Sequence, residues 1–205
     1  LRSNRRDITF QLAQELMGLF SDAVEVSEEV SCFRYLDARD LTGFVDGTEN
    51  PQGDHKKAVA LVGDEDEVFA GGSYIHLQRY IHNLDRWATQ SLKEQEDVYG
   101  RTKEDNIEYP SDKKPLTAHT KRASLKDGHG DSIEILRHSM PYGSLSEAGL
   151  LFASYCRTPE NFTLMLKSMV EGDNDGHTDK LMEYTTAITG QAFFAPSLSW
   201  FSELQ

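Results

Sequence analysis

A chain of 205 residues can bury the core of a full domain, and its 38% hydrophobic content is compatible with a globular protein. Its 21 Lys and Arg residues against 34 Asp and Glu residues give a net charge of -13, which argues against nucleic acid because a phosphate backbone would be repelled. No apolar run approaches the roughly eighteen residues of a membrane span, and the two cysteines have neither disulfide nor zinc spacing, so we expect a cytoplasmic protein without a membrane partner.

The predicted elements begin with a helix over residues 8–20, where apolar residues recur every three or four positions and suggest a face packed on a core. Residues 37–57 and 100–131 are rich in polar residues, Gly and Pro, which is typical of long functional loops. The other predicted elements are strands over 30–36, 58–62, 71–81, 132–140 and 150–157, and helices over 84–98, 160–170 and 178–189. Adjacent strands mixed with helices favour an α+β fold over a doubly wound sheet.

Two residues stand out in these segments. Asp46 precedes Gly47, and most Asp-Gly pairs simply form a tight turn. A phosphatase-type loop would need a nucleophilic carboxylate two residues earlier, where Phe44 stands, so that alternative is excluded. Arg137 lies on the predicted buried face of its strand, where a guanidinium needs an anion, either in an internal salt bridge or at a catalytic site.

Several ordered blocks resemble the dye-decolorizing (Dyp-type) haem peroxidases, in particular their bacterial cytoplasmic branch. The blocks are Gly43-Phe-Val-Asp-Gly47, Gly71-Gly-Ser-Tyr74, Gly100-Arg-Thr-Lys103, Ala118-His-Thr-Lys-Arg122, Ile135-Leu-Arg-His-Ser139 and Thr186-Ala-Ile-Thr-Gly190. The resemblance implies a ferredoxin-like domain, an antiparallel sheet with helices on one face, within a dimeric-ferredoxin-like peroxidase fold. It further implies that residues 41–205 form the haem-binding C-terminal domain, and residues 1–40 the last helix and strand of an incomplete N-terminal domain.

The resemblance also assigns residues to haem b, expected once per chain. His119 would be the proximal ligand of the iron. Asp46 and Arg137 would lie where peroxide enters, Asp46 moving a proton and Arg137 stabilising negative charge, with Ser139 as a hydrogen-bond partner of the bound peroxide. An Asp with an ordinary pKa is a weak base at neutral pH, so activity that rises toward acid is expected.

Further cofactor contacts follow from the same resemblance. Glu183 or Asp179, four residues apart on the predicted last helix, would accept a hydrogen bond from His119, and Glu183 is favoured because it lies closer to the Thr186 block. Arg101 and Arg122 are expected to bind the haem propionates. Electrons could enter through aromatic residues, for which the candidates are Trp87, Tyr80 and Trp200.

The resemblance therefore implies a peroxidase that reduces hydrogen peroxide while oxidising dyes, phenolic compounds or porphyrinogens. Its partners would be peroxide, an aromatic reductant and further copies of the chain in a homo-oligomer. Two alternatives remain open at this point: a protein that binds haem or releases its iron, and an inactive fragment of a peroxidase.

Overall fold

One antiparallel sheet organises the larger of two units in this protein. The structure, a computed structural model, describes residues 1–203, and the chain divides at Ser31 and Cys32. The strands of the sheet are β1 (Ser73–His82), β2 (Leu136–Arg137), β3 (Met140–Gly143), β4 (Ala148–Cys156) and β5 (Thr185–Ala195). They are ordered β2-β4-β1-β5, with β3 also paired to β4, and all pairs are antiparallel.

Helices follow each of the three long strands, β1, β4 and β5. The described helices are α1 (Arg6–Phe20), α2 (His55–Ala60), α3 (Leu84–Ala88), α4 (Leu92–Tyr99), α5 (His119–Ala123), α6 (Glu160–Val170) and α7 (Leu198–Glu203). Because β2 and β3 pair with successive parts of β4, they act as one interrupted strand, and the chain from β1 to β5 reads βαββαβ. This connectivity is that of a ferredoxin-like domain, which confirms the predicted fold class.

The smaller unit, residues 1–31, contains α1 and a short three-ten turn, Ser21–Ala23. The predicted helix over 8–20 is confirmed. None of α1 is buried within the described residues, and Leu19 is 80% exposed, so the packing of its apolar stripe on a core stays a prediction. No described helix has the length and apolar character needed to cross a bilayer.

The side chains of the sheet place Arg137 on its helix-covered face. Arg137 pairs with Ser154, and Ser154 pairs with His76 of β1, so these three side chains share one face of the sheet. Cys156 lies two residues further on the same face and packs with Phe162 of α6. The Arg137 side chain therefore lies between the sheet and the segments that cover it.

Two of the predicted elements have the wrong type. The apolar run predicted as a strand over 58–62 lies largely in α2, because a short apolar run has no period that separates a strand from a helix. The predicted last helix over 178–189 is a three-ten turn, Lys180–Glu183, followed by β5. β-branched residues dominate the start of β5, and such side chains fit a pleated strand better than a helix.

Other predictions differ in extent. The helix predicted over 84–98 is broken into α3 and α4, since Ser91 caps α4 in a reciprocal pair with Glu94. The strand predicted over 132–140 is reduced to Leu136–Arg137, and the one over 30–36 to a bridge between Cys32 and Tyr142. The strands predicted over 71–81 and 150–157 and the helix over 160–170 are confirmed as β1, β4 and α6.

Candidate active site

The segment that carries Asp46 folds back on itself as a tight loop. Gly43 has a φ of +89°, a value that only glycine adopts without strain, and its N–H donates to the carbonyl of Asp40 at 2.8 Å. The Asp40 N–H donates to the Phe44 carbonyl, and the Asp46 N–H donates to the Ala38 carbonyl at 3.0 Å. Backbone hydrogen bonds within the loop thus fix the position of Asp46.

The loop is also attached to the rest of the domain. The Arg39 guanidinium donates to the carbonyls of Gly43 and Lys103, at 2.8 and 2.6 Å. Phe44 is 1% exposed and packs in a cluster with Trp87, Val98 and Tyr184. These contacts hold the loop on the helices rather than in solvent.

Asp46 and Arg137 are 91 residues apart in sequence, but the fold places them near enough to interact electrostatically. Burial raises the pKa of the Asp46 carboxyl, while the charge of Arg137 and, more weakly, that of His119 oppose the shift. The Arg137 Nε is buried, with no hydrogen-bond partner among residues 1–203. The pair therefore combines a buried carboxyl of raised pKa with a guanidinium that retains an unused donor among the described residues.

Asn50 connects the two elements that carry these groups, and sequence reasoning missed its role. Its Oδ1 accepts the Arg137 N–H at 2.9 Å, and its Nδ2 donates to the Arg137 carbonyl at 2.8 Å. Both backbone groups of Arg137 are satisfied by one side chain from the Asp46 loop. The signal that could have revealed this role is the position of Asn50 in Thr48-Glu49-Asn50-Pro51, which belongs to the same loop as Asp46.

His119 begins α5 and contacts a carboxylate from a distant segment. Its Nδ1 lies 2.7 Å from Oδ2 of Asp179, whose side chain is fully buried. The Asp179 Oδ1 accepts the N–H of Leu181, and the Asp179 N–H donates to the Met169 carbonyl. Within the described part of the chain the Nε2 of His119 has no hydrogen-bond partner, which leaves this atom for a metal bond.

Glu183, the favoured partner of His119, is elsewhere. Its carboxylate pairs with Arg86 at 2.7 Å, and both side chains are about half exposed. The two acidic candidates would share one face only on a continuous helix, but the segment is a three-ten turn that runs into β5. The structure corrects the assignment to Asp179.

The two arginines expected at the propionates are buried, and both have partners. Arg101 donates to the Asn106 carbonyl at 3.1 Å, and Arg122 pairs with Asp173 at 3.0 Å. The Nε of each is buried with no hydrogen-bond partner among residues 1–203. Ser139 lies between β2 and β3 and accepts the N–H of Ala153 through its Oγ at 3.3 Å. The structure leaves the expected roles of these three residues as predictions.

Known proteins resemble the whole length of this chain. A family model described as Dyp-type peroxidase, C-terminal, matches residues 37–200. A dye-decolorizing peroxidase of Mycolicibacterium paratuberculosis is 43% identical over 205 residues, which are 99% of this chain and 58% of that protein. The chain therefore spans little more than half the length of this curated relative. A deferrochelatase of Escherichia coli is more distant, at 29% identity over 76% of the chain and 42% of its own length.

Solved structures that resemble this chain belong to the same family. A putative Dyp-type peroxidase from Shewanella oneidensis is 59% identical and superposes with a TM-score of 0.97, covering 100% of this chain and 66% of its own. A variant of DypB from Rhodococcus jostii RHA1, solved in complex with haem, is 41% identical with a TM-score of 0.96, covering 100% of this chain and 67% of its own. Both the sequence and the fold of the described residues therefore match one family.

Proposed function

Because the chain belongs to the Dyp-type peroxidase family, we propose that it is the haem-binding part of a peroxidase. Its reaction would reduce hydrogen peroxide while oxidising dyes, phenolic compounds or porphyrinogens. The observation that carries the proposal is the His119 imidazole, which is fixed by buried Asp179 at 2.7 Å and whose Nε2 has no hydrogen-bond partner among residues 1–203. His119 would be the metal ligand, and Asp46 with Arg137 the pair that handles peroxide.

The residues fit one haem b per chain. A histidine that ligates iron commonly gives its other ring nitrogen to a carboxylate, which orients the ring and increases its basicity. His119 and Asp179 meet that requirement, with Nε2 as the atom for the iron. Arg101 and Arg122 would face the propionates through their unpaired Nε groups, since a buried anionic edge needs cations.

Peroxide cleavage needs proton movement and charge stabilisation from this chain. Haem, when bound, supplies the electrons that break the O–O bond. Asp46 accepts the proton from one peroxide oxygen and returns it to the other, which leaves as water. Arg137 stabilises the negative charge on the leaving oxygen, and Ser139 donates a hydrogen bond to the bound peroxide. The raised pKa of Asp46 brings it nearer to the working pH, which makes it a better base than a solvated Asp.

The proposal is tested by loading the protein with haem and measuring its Soret absorption and its peroxide-dependent oxidation of a dye. We expect His119→Ala to lose the five-coordinate ferric spectrum and Arg137→Ala to keep haem but lose turnover. His129→Ala is the matched control, because His129 is exposed and lies outside the site. Unchanged turnover in both site variants would overturn the proposal.

Iron release from haem, the other activity considered, uses the same pocket. The relatives named for it are more distant than the dye-decolorizing peroxidases. Extraction of metal-free porphyrin after incubation with haem distinguishes the two activities, and we expect the porphyrin to retain its iron. Accumulation of free porphyrin without dye oxidation would favour iron release.

We also propose a cytoplasmic location and a homo-oligomer. Two free cysteines, Cys32 and Cys156, support a reducing compartment. Light scattering coupled to size exclusion measures the oligomeric state directly.

A further inference from the structure

A chain of buried polar groups lies beside the site and takes no part in peroxide cleavage. The Tyr99 hydroxyl is 2.7 Å from Thr42 Oγ, which is 2.6 Å from Asp40 Oδ2. His82 Nε2 lies 3.1 Å from Asp40 Oδ1, and its Nδ1 lies 2.8 Å from Thr185 Oγ. Thr42, Asp40 and Thr185 are all buried. Burying a carboxylate is costly unless it is paired and hydrogen-bonded, and these partners meet that requirement for Asp40.

The direction of the hydrogen bonds follows from their donors. Thr42 has a single hydroxyl proton, which it donates to the Asp40 carboxylate. Tyr99 must therefore donate its phenolic proton to Thr42 Oγ. Burial alone would raise the pKa of Asp40, but its bonds to His82 and Thr42 outweigh burial and lower that pKa, so Asp40 is ionised and can accept a proton.

Tyr99 is also in contact with the iron-binding histidine. Its ring centroid is 6.0 Å from that of His119, in an edge-to-face arrangement, and it stacks on Phe44 at 4.0 Å. Tyr99 thus places its phenol ring against His119, with the Asp40 carboxylate one hydroxyl away.

We propose that Tyr99 supplies an electron to the peroxide-oxidised haem while its proton passes through Thr42 to Asp40. This inference rests on the proposed peroxidase function. Loss of one electron makes a phenol strongly acidic, so oxidation at neutral pH requires a proton acceptor within hydrogen-bond reach. Tyr99 becomes a neutral phenoxyl radical, the Tyr99 proton bonds to Thr42 Oγ as the Thr42 proton bonds to Asp40, and Asp40 becomes a carboxylic acid. The aromatic reductant later returns one electron, and Asp40 returns the proton along the same bonds.

A row of aromatic rings gives that returning electron a route. Trp87 lies 6.0 Å from Tyr99 and 5.0 Å from Tyr184, measured between ring centroids. The half-exposed Arg86 covers the Tyr184 ring at 5.0 Å. The row therefore joins the ring beside His119 to the buried Tyr184 ring, which only the half-exposed Arg86 side chain separates from solvent on that side.

The test is electron paramagnetic resonance of the haem-loaded protein, frozen immediately after one equivalent of hydrogen peroxide. We expect a tyrosyl signal in the wild type that narrows when tyrosine is ring-deuterated, and loss of this signal in Tyr99→Phe. That variant keeps the ring packed on Phe44 and removes only the hydroxyl. Tyr109→Phe is the matched control, since the Tyr109 hydroxyl bonds to Glu96 outside this network, and its signal should be unchanged.

The proton path is tested by a second pair of variants. Thr42→Val keeps the shape of the side chain without a hydroxyl and should lose the tyrosyl signal, whereas Thr42→Ser should retain it. A wild type that consumes peroxide without a tyrosyl signal, or a signal that survives in Tyr99→Phe, would overturn the role of Tyr99 but not the proposed peroxidase function. An equal signal in Thr42→Val and Thr42→Ser would overturn the proton path. A wild type that binds haem but does not react with peroxide would overturn the proposed function as well.

Discussion

The two sides of the candidate site treat a buried carboxylate in opposite ways. Asp179 is fully buried and already bonded to His119, so its charge is committed to one imidazole nitrogen. No side chain among residues 1–203 bonds to Asp46. Burial raises the pKa of its carboxyl, and the charge of Arg137 only partly offsets that rise. The comparison teaches that one carboxylate is built to fix an imidazole in place, whereas the other remains available to exchange a proton beside a guanidinium with a free donor.

The strongest test of this contrast is Arg137→Leu. If Arg137 stabilises charge that develops only during O–O cleavage, kcat/KM for peroxide falls roughly 100- to 1,000-fold while haem remains bound. Stopped-flow kinetics with peroxide measure the effect. Arg34→Leu, at an exposed position, is the control and should keep the wild-type rate. A loss of haem in Arg137→Leu would contradict the division of roles.

Asp46→Asn tests proton transfer on the same side of the site. We expect a loss of roughly 100-fold at neutral pH, because the amide cannot accept the peroxide proton. In the wild type the base is the ionised form, so kcat/KM should fall as the pH decreases through the pKa of Asp46. This is opposite to the rise toward acid expected from the sequence, which assumed an ordinary pKa for Asp46. Since burial raises that pKa, the fall should begin above the roughly 3.9 of an unperturbed Asp. A pH profile that is identical in wild type and Asp46→Asn would contradict this role.

On the other side, Asp179→Asn should weaken the site without abolishing it. Replacing an outer partner of a metal-bound histidine commonly costs roughly 10- to 100-fold in affinity or activity. Haem titration followed at the Soret band measures the change. The control is Asp175→Asn, an exposed neighbour in the same segment. Glu183→Gln should leave haem affinity unchanged, because Glu183 pairs with Arg86 instead.

The smallest expected effect belongs to Asn50→Ala. Two hydrogen bonds to the Arg137 backbone are lost, which should lower the free energy of unfolding by about 1–3 kcal/mol. Chemical denaturation measures this change. A reduced kcat with unchanged haem affinity would show that Asn50 positions Arg137 and not the iron ligand.

Sequence patterns predicted the regular parts of this fold because their signals are local. The alternation in β1 and β4 and the three-to-four spacing in α6 are visible without tertiary information. The segment after Asp179 was mistaken for a helix, since its polar residues hide the preference of Thr185, Thr186 and Ile188 for a strand. That error led directly to the choice of Glu183 over Asp179, because it placed both carboxylates on a single helical face.

The candidate site was predictable in its residue types and less so in its supports. The family motifs pointed to Asp46, Arg137 and His119, and the fold brings Arg137 near enough for its charge to oppose the raised pKa of Asp46. Asn50 and Thr42 act through hydrogen bonds between segments distant in sequence, and no local period reports such contacts. Recognising the roles of Asn50 and Thr42 required knowing where β2 and α4 lie relative to the Asp46 loop.

The bond between His119 and Asp179 links ligand binding to the folding of the chain between them. Sixty residues separate the two partners, and this stretch includes β2, β3, β4 and α6. A ligand that binds only when this bond is formed stabilises the entire stretch by mass action, in proportion to the logarithm of its free concentration. Haem would thus act as a stabilising ligand of the sheet, and the melting temperature of the domain would report how much of it is loaded.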